Sequence, residues 1–252
     1  MNKIAFITGA TAGIGEACAK KLAKLGFNLI ISGRRKENLE KVKQELIANY
    51  KIKVLAIELD VRNQDQVATK INSLPEEWTK IDLLLNNAGL AVGVSAVQEG
   101  IIDDWERMID TNLKGLLYVT RAITPLMIAN KKGQIINITS IAGKEVYPGG
   151  NVYCATKHAV DAITKGMRID LLPHNIKVSS IAPGMVETEF SVVRFKGDSK
   201  KADQVYQGFT PLYAEDIAET VEFIVTRPAH VNINDILIMP TNQASARDVN
   251  RA

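Results

Sequence analysis

The alternation of short apolar runs with amphipathic helical patterns is the feature that most restricts the fold of this chain. The alternation continues from Lys3 to about Thr226 without a Pro-, Gly- or Ser-rich linker, an internal repeat or a low-complexity segment. Strands that alternate with helices pair in parallel, because each helix carries the chain back to the end where the preceding strand began. The pattern predicts an α/β fold, with residues 1–252 forming a single Rossmann-type domain whose doubly wound parallel sheet has about seven strands flanked by helices.

One stretch interrupts this regular pattern. Residues 189–213 are rich in Lys, Gly, Asp and Gln and show no sustained apolar periodicity. A segment of this kind, placed late in an α/β domain, is typical of a mobile lid over a substrate. A disordered surface insertion is the alternative interpretation.

A glycine-rich turn joins the first predicted strand, residues 3–7, to the first predicted helix. Gly9, Gly13 and Gly15 have the spacing Gly-x-x-x-Gly-x-Gly. Glycines at such a junction allow a tight turn and let backbone amides and a helix N-terminus approach a pyrophosphate without hindrance from a Cβ atom. An isolated glycine run can equally be a structural turn, but the position at the first strand–helix junction favours dinucleotide binding.

The residues after the second predicted strand, 28–32, indicate which dinucleotide is bound. Enzymes that use NAD usually carry an acidic residue here for the ribose 2′-hydroxyl, whereas this chain has Arg34 and Arg35. Guanidinium groups suit a 2′-phosphate. The pair therefore predicts NADP as the cofactor; two solvated arginines at the start of the helix 36–49 are the alternative.

Ser140, Tyr153 and Lys157 are the predicted catalytic residues. Tyr153 and Lys157 stand four positions apart and share one face of a predicted helix. On spacing alone such a pair is more often a solvated helix face, but a Ser at a strand end upstream and the glycine-rich start of the chain favour a catalytic role. A free phenol titrates near pH ~10, and a neighbouring ammonium favours the phenolate. Ser140 follows the apolar run 134–138, so we expect its hydroxyl at the carboxyl end of a buried strand, where open α/β sheets bind ligands.

Asn112 lies within a long predicted helix, residues 103–130, as part of Thr111-Asn112-Leu113-Lys114-Gly115. Asn and Gly are both poor choices for a helix interior. A local rule that is broken inside a well-patterned element is expected at functional sites. A surface Asn at a slight kink is the alternative.

These motifs, in this order, resemble the short-chain dehydrogenases/reductases over nearly the whole chain. The motifs that carry the resemblance are Thr8-Gly9-Ala10-Thr11-Ala12-Gly13-Ile14-Gly15, Asn86-Asn87-Ala88-Gly89, Asn112, Ser140, Tyr153-x-x-x-Lys157 and Pro183-Gly184. The resemblance implies that Tyr153 is the acid–base group, that Ser140 binds the substrate oxygen, that Lys157 lowers the Tyr153 pKa and holds the nicotinamide ribose, and that Asn112 holds a water linking Lys157 to solvent. It also implies a homotetramer, in which the predicted helices 103–130 and 153–172 pack against a second subunit; the small residues of the second helix can equally pack on the sheet.

The resemblance further assigns Asp60 and Val61 to the adenine, Asn87, Ala88 and Gly89 to sheet bracing and cofactor contact, and the run from Pro183 to Thr188 to the nicotinamide carboxamide. An Asp at a strand end can also cap the helix at 65–73. An Asn pair often only makes a turn. The complete predicted cofactor-binding set is Gly9, Thr11, Gly13, Ile14, Gly15, Arg34, Arg35, Asp60, Val61, Asn87, Ala88, Gly89, Tyr153, Lys157, Pro183, Gly184, Val186 and Thr188.

Two further stretches, 189–198 and 228–234, resemble the NADP-dependent 3-hydroxy acid dehydrogenase branch, whose members act on serine, L-allo-threonine and related short 3-hydroxy acids. The substrate-binding residues are then Ser140, Tyr153 and Arg194, since an Arg can bind a carboxylate bidentately. Arg194 as a solvated arginine is the alternative. Two other functions stay open at this point: a 3-oxoacyl-thioester reductase of the same fold and a dinucleotide-sensing protein without turnover.

Composition excludes several partners. The net charge of +3 is small, and no basic run interleaves with aromatic residues, so we expect no nucleic-acid partner. The apolar run at residues 4–7 is too short for a signal sequence or a membrane span, so we expect no membrane partner. Cys18 and Cys154 are predicted to be buried thiols, in keeping with a cytoplasmic location. The three His residues lack metal-ligand spacing, so we expect no metal.

Overall fold

A computed structural model of the chain describes residues 2–252, and these fold around one sheet of seven strands. Its strands β1 to β7 span Ile4–Thr8, Asn28–Gly33, Val54–Glu58, Ile81–Asn86, Gly133–Ile138, Ile176–Pro183 and Asp235–Ile238. The order is β3-β2-β1-β4-β5-β6-β7, and all neighbouring pairs are parallel. The predicted Rossmann-type sheet is confirmed.

The helices cover both faces of this sheet. The helices α1 to α9 of the described residues span Gly13–Lys24, Lys36–Asn49, Gln64–Asn72, Ile102–Ile109, Leu116–Ala129, Asn151–Asp170, Phe190–Arg194, Ser199–Gln204 and Ala214–Val225. None of them is long and apolar enough to cross a membrane.

Alternation along β1 shows how the strands divide their side chains between two apolar layers. Ala5 and Ile7 pack with α1, α2 and α9 on one face, whereas Ile4 and Phe6 pack with α3 and α5 on the other. Because both faces are covered, the strand is buried along its whole length. Full burial of one large apolar side chain such as Phe6 contributes about 1.5–3 kcal/mol to the free energy of unfolding. The sheet is therefore a rigid platform for the loops at its carboxyl end.

The strand order places β4 beside β1, so the chain reverses its direction of travel across the sheet between β3 and β4. The connections after β1 and β4 lead to opposite faces and leave a crevice between them. Open α/β sheets bind ligands in such a crevice. The fold thus fixes the location of the site before any side chain is considered.

The predicted helix 103–130 is not continuous. It divides into α4, a π-helical turn over Asp110–Gly115, and α5. Such turns widen the helix by one residue per hydrogen-bonded ring and are frequent at functional sites. At its end, a Cβ atom on Gly115 would lie 2.6 Å from Val61 Cγ2, so glycine is required for this close approach.

The interpretation of Asp60 as the cap of α3 is wrong. The amide of Gln66 donates to the side chain of Asn63, which is the N-cap of α3. Asp60 instead accepts from the guanidinium of Arg62, with an Nη2–Oδ2 distance of 2.6 Å. The backbone amide of Asp60 also donates to Gln66 Oε1 of α3 at 2.7 Å. Asp60 is therefore held at the mouth of the crevice through its backbone by α3 and through its side chain by Arg62.

Segment 189–213 contains the two short helices α7 and α8 and is fastened to the rest of the domain. The Gly93 amide donates to the carbonyl of Arg194 at 2.9 Å. Lys196 Nζ lies 2.7 Å from Oδ2 of Asp104, a buried carboxylate on α4. The segment is thus folded, in contrast to the disordered insertion considered from the sequence.

We expect Gly15→Ala to lower the free energy of unfolding by about 1–3 kcal/mol through overpacking. A Cβ atom at this position would lie 2.3 Å from the carbonyl oxygen of Gly9 and 2.5 Å from Nδ2 of Asn87. Urea denaturation measures the change. Lys20→Ala on the same helix is the control, since it removes only the exposed ion pairs with Glu16 and Glu45 and is expected to cost less than about 1 kcal/mol. Equal stability of both variants would contradict the packing argument.

Candidate active site

A cavity of about 420 Å³ occupies the crevice at the carboxyl ends of the central strands. The predicted site residues that line it are Gly9, Thr11, Gly13, Ile14, Arg34, Arg35, Asp60, Val61, Asn87, Ala88, Gly89, Ser140, Tyr153, Lys157, Pro183, Gly184, Val186 and Thr188. Gly15, Asn112 and Arg194 are predicted site residues that do not line it. The cavity thus joins the glycine-rich turn at one end to the Tyr and Lys of α6 at the other.

The turn after β1 has the backbone geometry of a phosphate cradle. Gly9 and Gly13 have φ angles of +67° and +54°, which favour glycine. Gly15 serves packing, because its missing Cβ admits the Gly9 carbonyl. The turn leads directly into α1, whose N-terminal amides suit an anion. These residues fit the pyrophosphate of a dinucleotide.

A hydroxyl ties this turn to the end of β4. Thr8 Oγ1 accepts from the amides of Asn87 and Ala88, each at 3.0 Å. Asn87 Nδ2 donates to the carbonyl oxygens of Thr8 and Gly9. The neighbouring Asn86 is also more than a turn residue, since its Nδ2 donates to Asn137 Oδ1 on β5. Both asparagines therefore brace the carboxyl end of the sheet.

The adenosine end of the cavity is rich in charge. Arg34 and Arg35 are both exposed there. Arg35 Nη2 donates to Thr11 Oγ1 at 3.3 Å and to Glu189 Oε2 at 3.0 Å. The hydrogen bond from Arg62, with further contributions from its charge and that of Arg34, lowers the pKa of Asp60 against the opposing effect of partial burial. Exposed guanidinium groups at this end fit a 2′-phosphate.

Lys157 is buried one helical turn after Tyr153. Its Nζ donates to the carbonyl oxygen of Ile138, at the end of β5, at 3.0 Å. Burial lowers the pKa of Lys157 to about 8. The Nζ atom lies 5.9 Å from the centre of the Tyr153 ring. The ammonium therefore faces the strand end rather than the phenol oxygen, in contrast to the close contact expected from spacing alone.

Burial also dominates the electrostatics of Tyr153. It raises the pKa of the phenol, and the nearby Tyr147 adds to this effect. A hydrogen bond with the Ser140 hydroxyl and the positive charge of Arg194 act in the opposite direction. Ser140 Oγ also accepts from the amide of Ala142 at 3.1 Å and so caps the turn after β5. Ser140 and Tyr153 thus both line the inner end of the cavity.

Asn112 is 2% exposed, so the interpretation as a surface residue is wrong. Its side chain donates to the carbonyl and accepts from the amide of Leu90, both at 2.8 Å, and donates to Thr156 Oγ1 at 3.1 Å. Gly89 separates it from Lys157, because a Cβ there would lie 3.2 Å from Asn112 Oδ1 and 3.5 Å from Lys157 Nζ. Asn112 therefore links the loop after β4 to α6, and its role in holding a water stays a prediction.

Arg194 ends α7 behind the cavity wall. Its guanidinium lies 5.2 Å from the centre of the Tyr147 ring. Within residues 2–252, neither Arg194 Nε nor Tyr147 Oη has a partner at hydrogen-bonding geometry, although both atoms are buried. Two buried donors left open beside Tyr153 are costly unless an acceptor completes them.

Several residues of the site were not identified from the sequence. Phe190 lines the cavity and packs on Tyr153, with 5.8 Å between ring centres. Thr111 and Glu189 also line it. Tyr147 lies in a turn with no periodic pattern, so its approach to Arg194 depends on tertiary packing alone. The position of Thr111 beside Asn112 was the only local signal among these residues.

We expect the stability of Lys157→Met relative to the wild type to be greatest at pH 7 and to fall by about 2 kcal/mol by pH 10. The folded pKa of Lys157 is lowered to about 8, so the cost of burying its charge is present below pH 8 and disappears as the pH rises toward the unfolded value. Denaturation at each pH measures the difference. Lys165→Met, at an exposed position of the same helix, is the control; a pH-independent difference for Lys157→Met would refute the desolvation argument.

Known proteins share this architecture and sequence. The family described as short chain dehydrogenase matches residues 3–198. The NADP-dependent 3-hydroxy acid dehydrogenase of Salmonella typhi is 48% identical over 244 residues, 96% of this chain and 97% of that protein. The sulfoacetaldehyde reductase 2 of Chromohalobacter salexigens is 44% identical over 245 residues, 97% of this chain and 96% of that protein. The closed form of serine dehydrogenase complexed with NADP⁺ superposes with a TM-score of 0.93 at 46% identity, covering 99% of this chain and all of that one. Because the family match alone spans most of the chain and includes the glycine-rich turn and the Ser, Tyr and Lys of the cavity, the chain belongs to the short-chain dehydrogenase family.

Proposed function

We propose that this protein is an NADP-dependent oxidoreductase that transfers a hydride between the carbinol carbon of a short 3-hydroxy acid and the nicotinamide. The observation that carries the proposal is the placement of Ser140, Tyr153 and Lys157 at the inner end of a cavity whose outer end presents Arg34 and Arg35. A similar protein with 48% identity is named as an NADP-dependent 3-hydroxy acid dehydrogenase. Enzymatic activity and NADP dependence follow from the family and these relatives.

The cofactor would be held along the cavity from end to end. The turn with Gly9 and Gly13 would take the pyrophosphate, and Arg34 and Arg35 the 2′-phosphate. Asp60 and Val61 would flank the adenine. The nicotinamide end would meet Lys157 and the backbone after β6. When bound, the nicotinamide supplies the hydride acceptor or donor.

The residues of this chain would manage the proton. In the direction of oxidation, Tyr153 as phenolate takes the proton of the substrate hydroxyl, while Ser140 holds the substrate oxygen. Since burial raises the Tyr153 pKa, positive charge is needed to favour the phenolate; Arg194 supplies part of it, and Lys157 adds to it when protonated. Acid–base catalysis of this kind contributes typically ~10²–10⁴ in rate.

The substrate carboxylate would complete the two buried donors near Tyr153. Arg194 Nε and Tyr147 Oη are both without an acceptor among the described residues. A carboxylate offers two oxygens and binds a guanidinium strongly. Serine, L-allo-threonine and 3-hydroxypropionate place a carboxylate two bonds from the carbinol carbon, which suits donors close to Tyr153.

Segment 189–213 is proposed to be a lid. Its first helix carries Phe190, which packs on the catalytic ring, and Arg194, so its position controls access to Tyr153. Closure over a substrate excludes water and completes the site.

We also propose a homotetrameric, cytoplasmic enzyme. Ile169 and Leu172, near the end of α6, are each 73% exposed, and Leu117 on α5 is exposed as well. Exposed apolar side chains on these two helices suit contacts between subunits. Cys18 and Cys154 are both free and buried, which suits a reducing compartment.

A second candidate activity is the reduction of a short aldehyde that bears a sulfonate. The relative named as sulfoacetaldehyde reductase 2 is 44% identical over nearly the whole chain. The two buried donors of Arg194 and Tyr147 suit sulfonate oxygens as well as carboxylate oxygens. A 3-oxoacyl-thioester reductase would instead require a path for a long carrier arm past Phe190 and Val193.

We expect the purified enzyme to reduce NADP⁺ with L-serine, D-serine, L-allo-threonine or 3-hydroxypropionate. We expect Arg194→Ala to raise KM for these acids at least tenfold while changing KM for 1-propanol less than twofold. Any fall in kcat should be common to the acids and 1-propanol, since Arg194 also favours the Tyr153 phenolate. Absorbance of reduced nicotinamide measures both. A truncated guanidinium loses a charge-assisted hydrogen bond, worth about 1.5–3 kcal/mol. Arg227→Ala is the control, because Arg227 is a partly buried arginine just after α9 that does not line the cavity. Activity confined to NADPH with sulfoacetaldehyde or a 3-oxoacyl thioester would replace the hydroxy acid as substrate.

We expect Tyr153→Phe to lose turnover by about 10²–10⁴-fold, because the proton of the substrate hydroxyl then has no acceptor. The Kd for NADP⁺, measured by titration calorimetry, is expected to change less than threefold, since the ring and its packing on Phe190 remain. Unchanged turnover would remove Tyr153 from its assigned role.

A further inference from the structure

One ion pair spans the mouth of the cofactor cavity. Arg35 precedes α2 and Glu189 precedes α7, 154 residues later in the chain, yet Nη2 of Arg35 lies 3.0 Å from Oε2 of Glu189. The same Nη2 donates to Thr11 Oγ1 at 3.3 Å. All three residues line the cavity. The pair therefore connects the end of β2 with the start of the proposed lid.

The residue before Glu189 also touches the phosphate cradle. A Cβ atom on Gly13 would lie 3.2 Å from Cβ of Thr188, so the chain at residues 188–189 packs against the glycine-rich turn. Contact between the Thr188 side chain and this turn therefore holds Glu189 beside Arg35. Its carboxylate and a 2′-phosphate at Arg34 and Arg35 would share one small space.

We propose that Glu189 is a specificity-determining residue that competes with the 2′-phosphate of the cofactor for the guanidinium of Arg35. The proposal rests on the assignment of Arg35 to the 2′-phosphate made above. Arg35 Nη2 already serves Glu189 and Thr11, so a phosphate gains fewer free donors than an unpaired arginine would offer. A dianionic phosphate and a carboxylate at the same cation also repel each other.

The competition has a reciprocal consequence for the lid. If a 2′-phosphate weakens the contact between Arg35 and Glu189, then that contact weakens the binding of the phosphate by the same factor. Binding of NADP thus loosens the start of α7 from the β2 end, whereas NAD, which has no 2′-phosphate, leaves the pair intact. Glu189 limits how tightly NADP is retained and so favours exchange of the oxidised and reduced cofactor.

Titration calorimetry with 2′,5′-ADP and 5′-AMP tests the proposal, since the two probes differ only in the 2′-phosphate and contain no nicotinamide. We expect Glu189→Gln to lower the Kd for 2′,5′-ADP about three- to fivefold, in line with the value of an exposed ion pair, and to leave the Kd for 5′-AMP within twofold. Glu187→Gln, an exposed carboxylate two residues earlier that does not line the cavity, is the control and is expected to change neither probe.

Arg35→Ala separates this inference from the cofactor assignment. Loss of 2′,5′-ADP affinity in Arg35→Ala supports the assignment. In that variant the additional change Glu189→Gln is expected to leave the affinity for 2′,5′-ADP unchanged, because the guanidinium for which Glu189 competes is absent. If Arg35→Ala leaves 2′,5′-ADP binding unchanged, the assignment of Arg35 is wrong and the inference falls with it. If Arg35→Ala weakens binding but Glu189→Gln weakens it too or has no effect, the assignment stands and the competition is refuted.

Discussion

The hydrogen bonds between the ends of β1 and β4 are the constraint on which the rest of the site depends. Thr8 Oγ1 accepts two amides from the β4 end, and Asn87 returns its side-chain amide to the β1 turn. These bonds hold the two strand ends together at the point where their connections separate to opposite faces. The glycine-rich turn can then remain open toward solvent while its base is fixed. The residues proposed to bind the dinucleotide are positioned relative to this junction.

The two groups proposed for catalysis, Tyr153 and Lys157, are held in place by packing at an electrostatic cost. Lys157 and Tyr153 are both buried. Burial lowers the pKa of Lys157 and raises that of Tyr153, and both shifts favour the neutral form of the side chain. Asn112 and Gly89 fill the space beside the ammonium, and Ile138 supplies its acceptor. The site is therefore a place where the fold tolerates charge at a cost, as is common where a protein holds acid–base groups ready for reaction.

The fold and much of the cavity could be predicted from the sequence, because both depend on local signals. Apolar periodicity determines the strands, and Gly9, Gly13 and Gly15 mark their turn by composition alone. Arg34 and Arg35 follow a strand end and could be located for the same reason. Tyr147 and Glu189 could not, since their partners lie 47 and 154 positions away in sequence and only the folded loops bring them together. The orientation of Lys157 toward Ile138 likewise depends on depth of burial, which spacing does not encode.

The π-helical turn at Asp110–Gly115 changes which way the side chains of α5 face relative to those of α4. One additional residue in the turn rotates everything after it by roughly 100° about the helix axis, the angle that a single residue subtends in an α-helix. The apolar stripes of α4 and α5 are consequently out of phase: Met108 packs beside the catalytic helix, while Val119 and Ile123 pack against the sheet. Deletion of one residue from this turn would produce an uninterrupted helix. In that helix either Met108 or the pair Val119 and Ile123 could keep its present packing, but not both. The π-helical turn thus lets the apolar side chains of α4 face the cluster around Tyr153 while those of α5 face the core under the sheet.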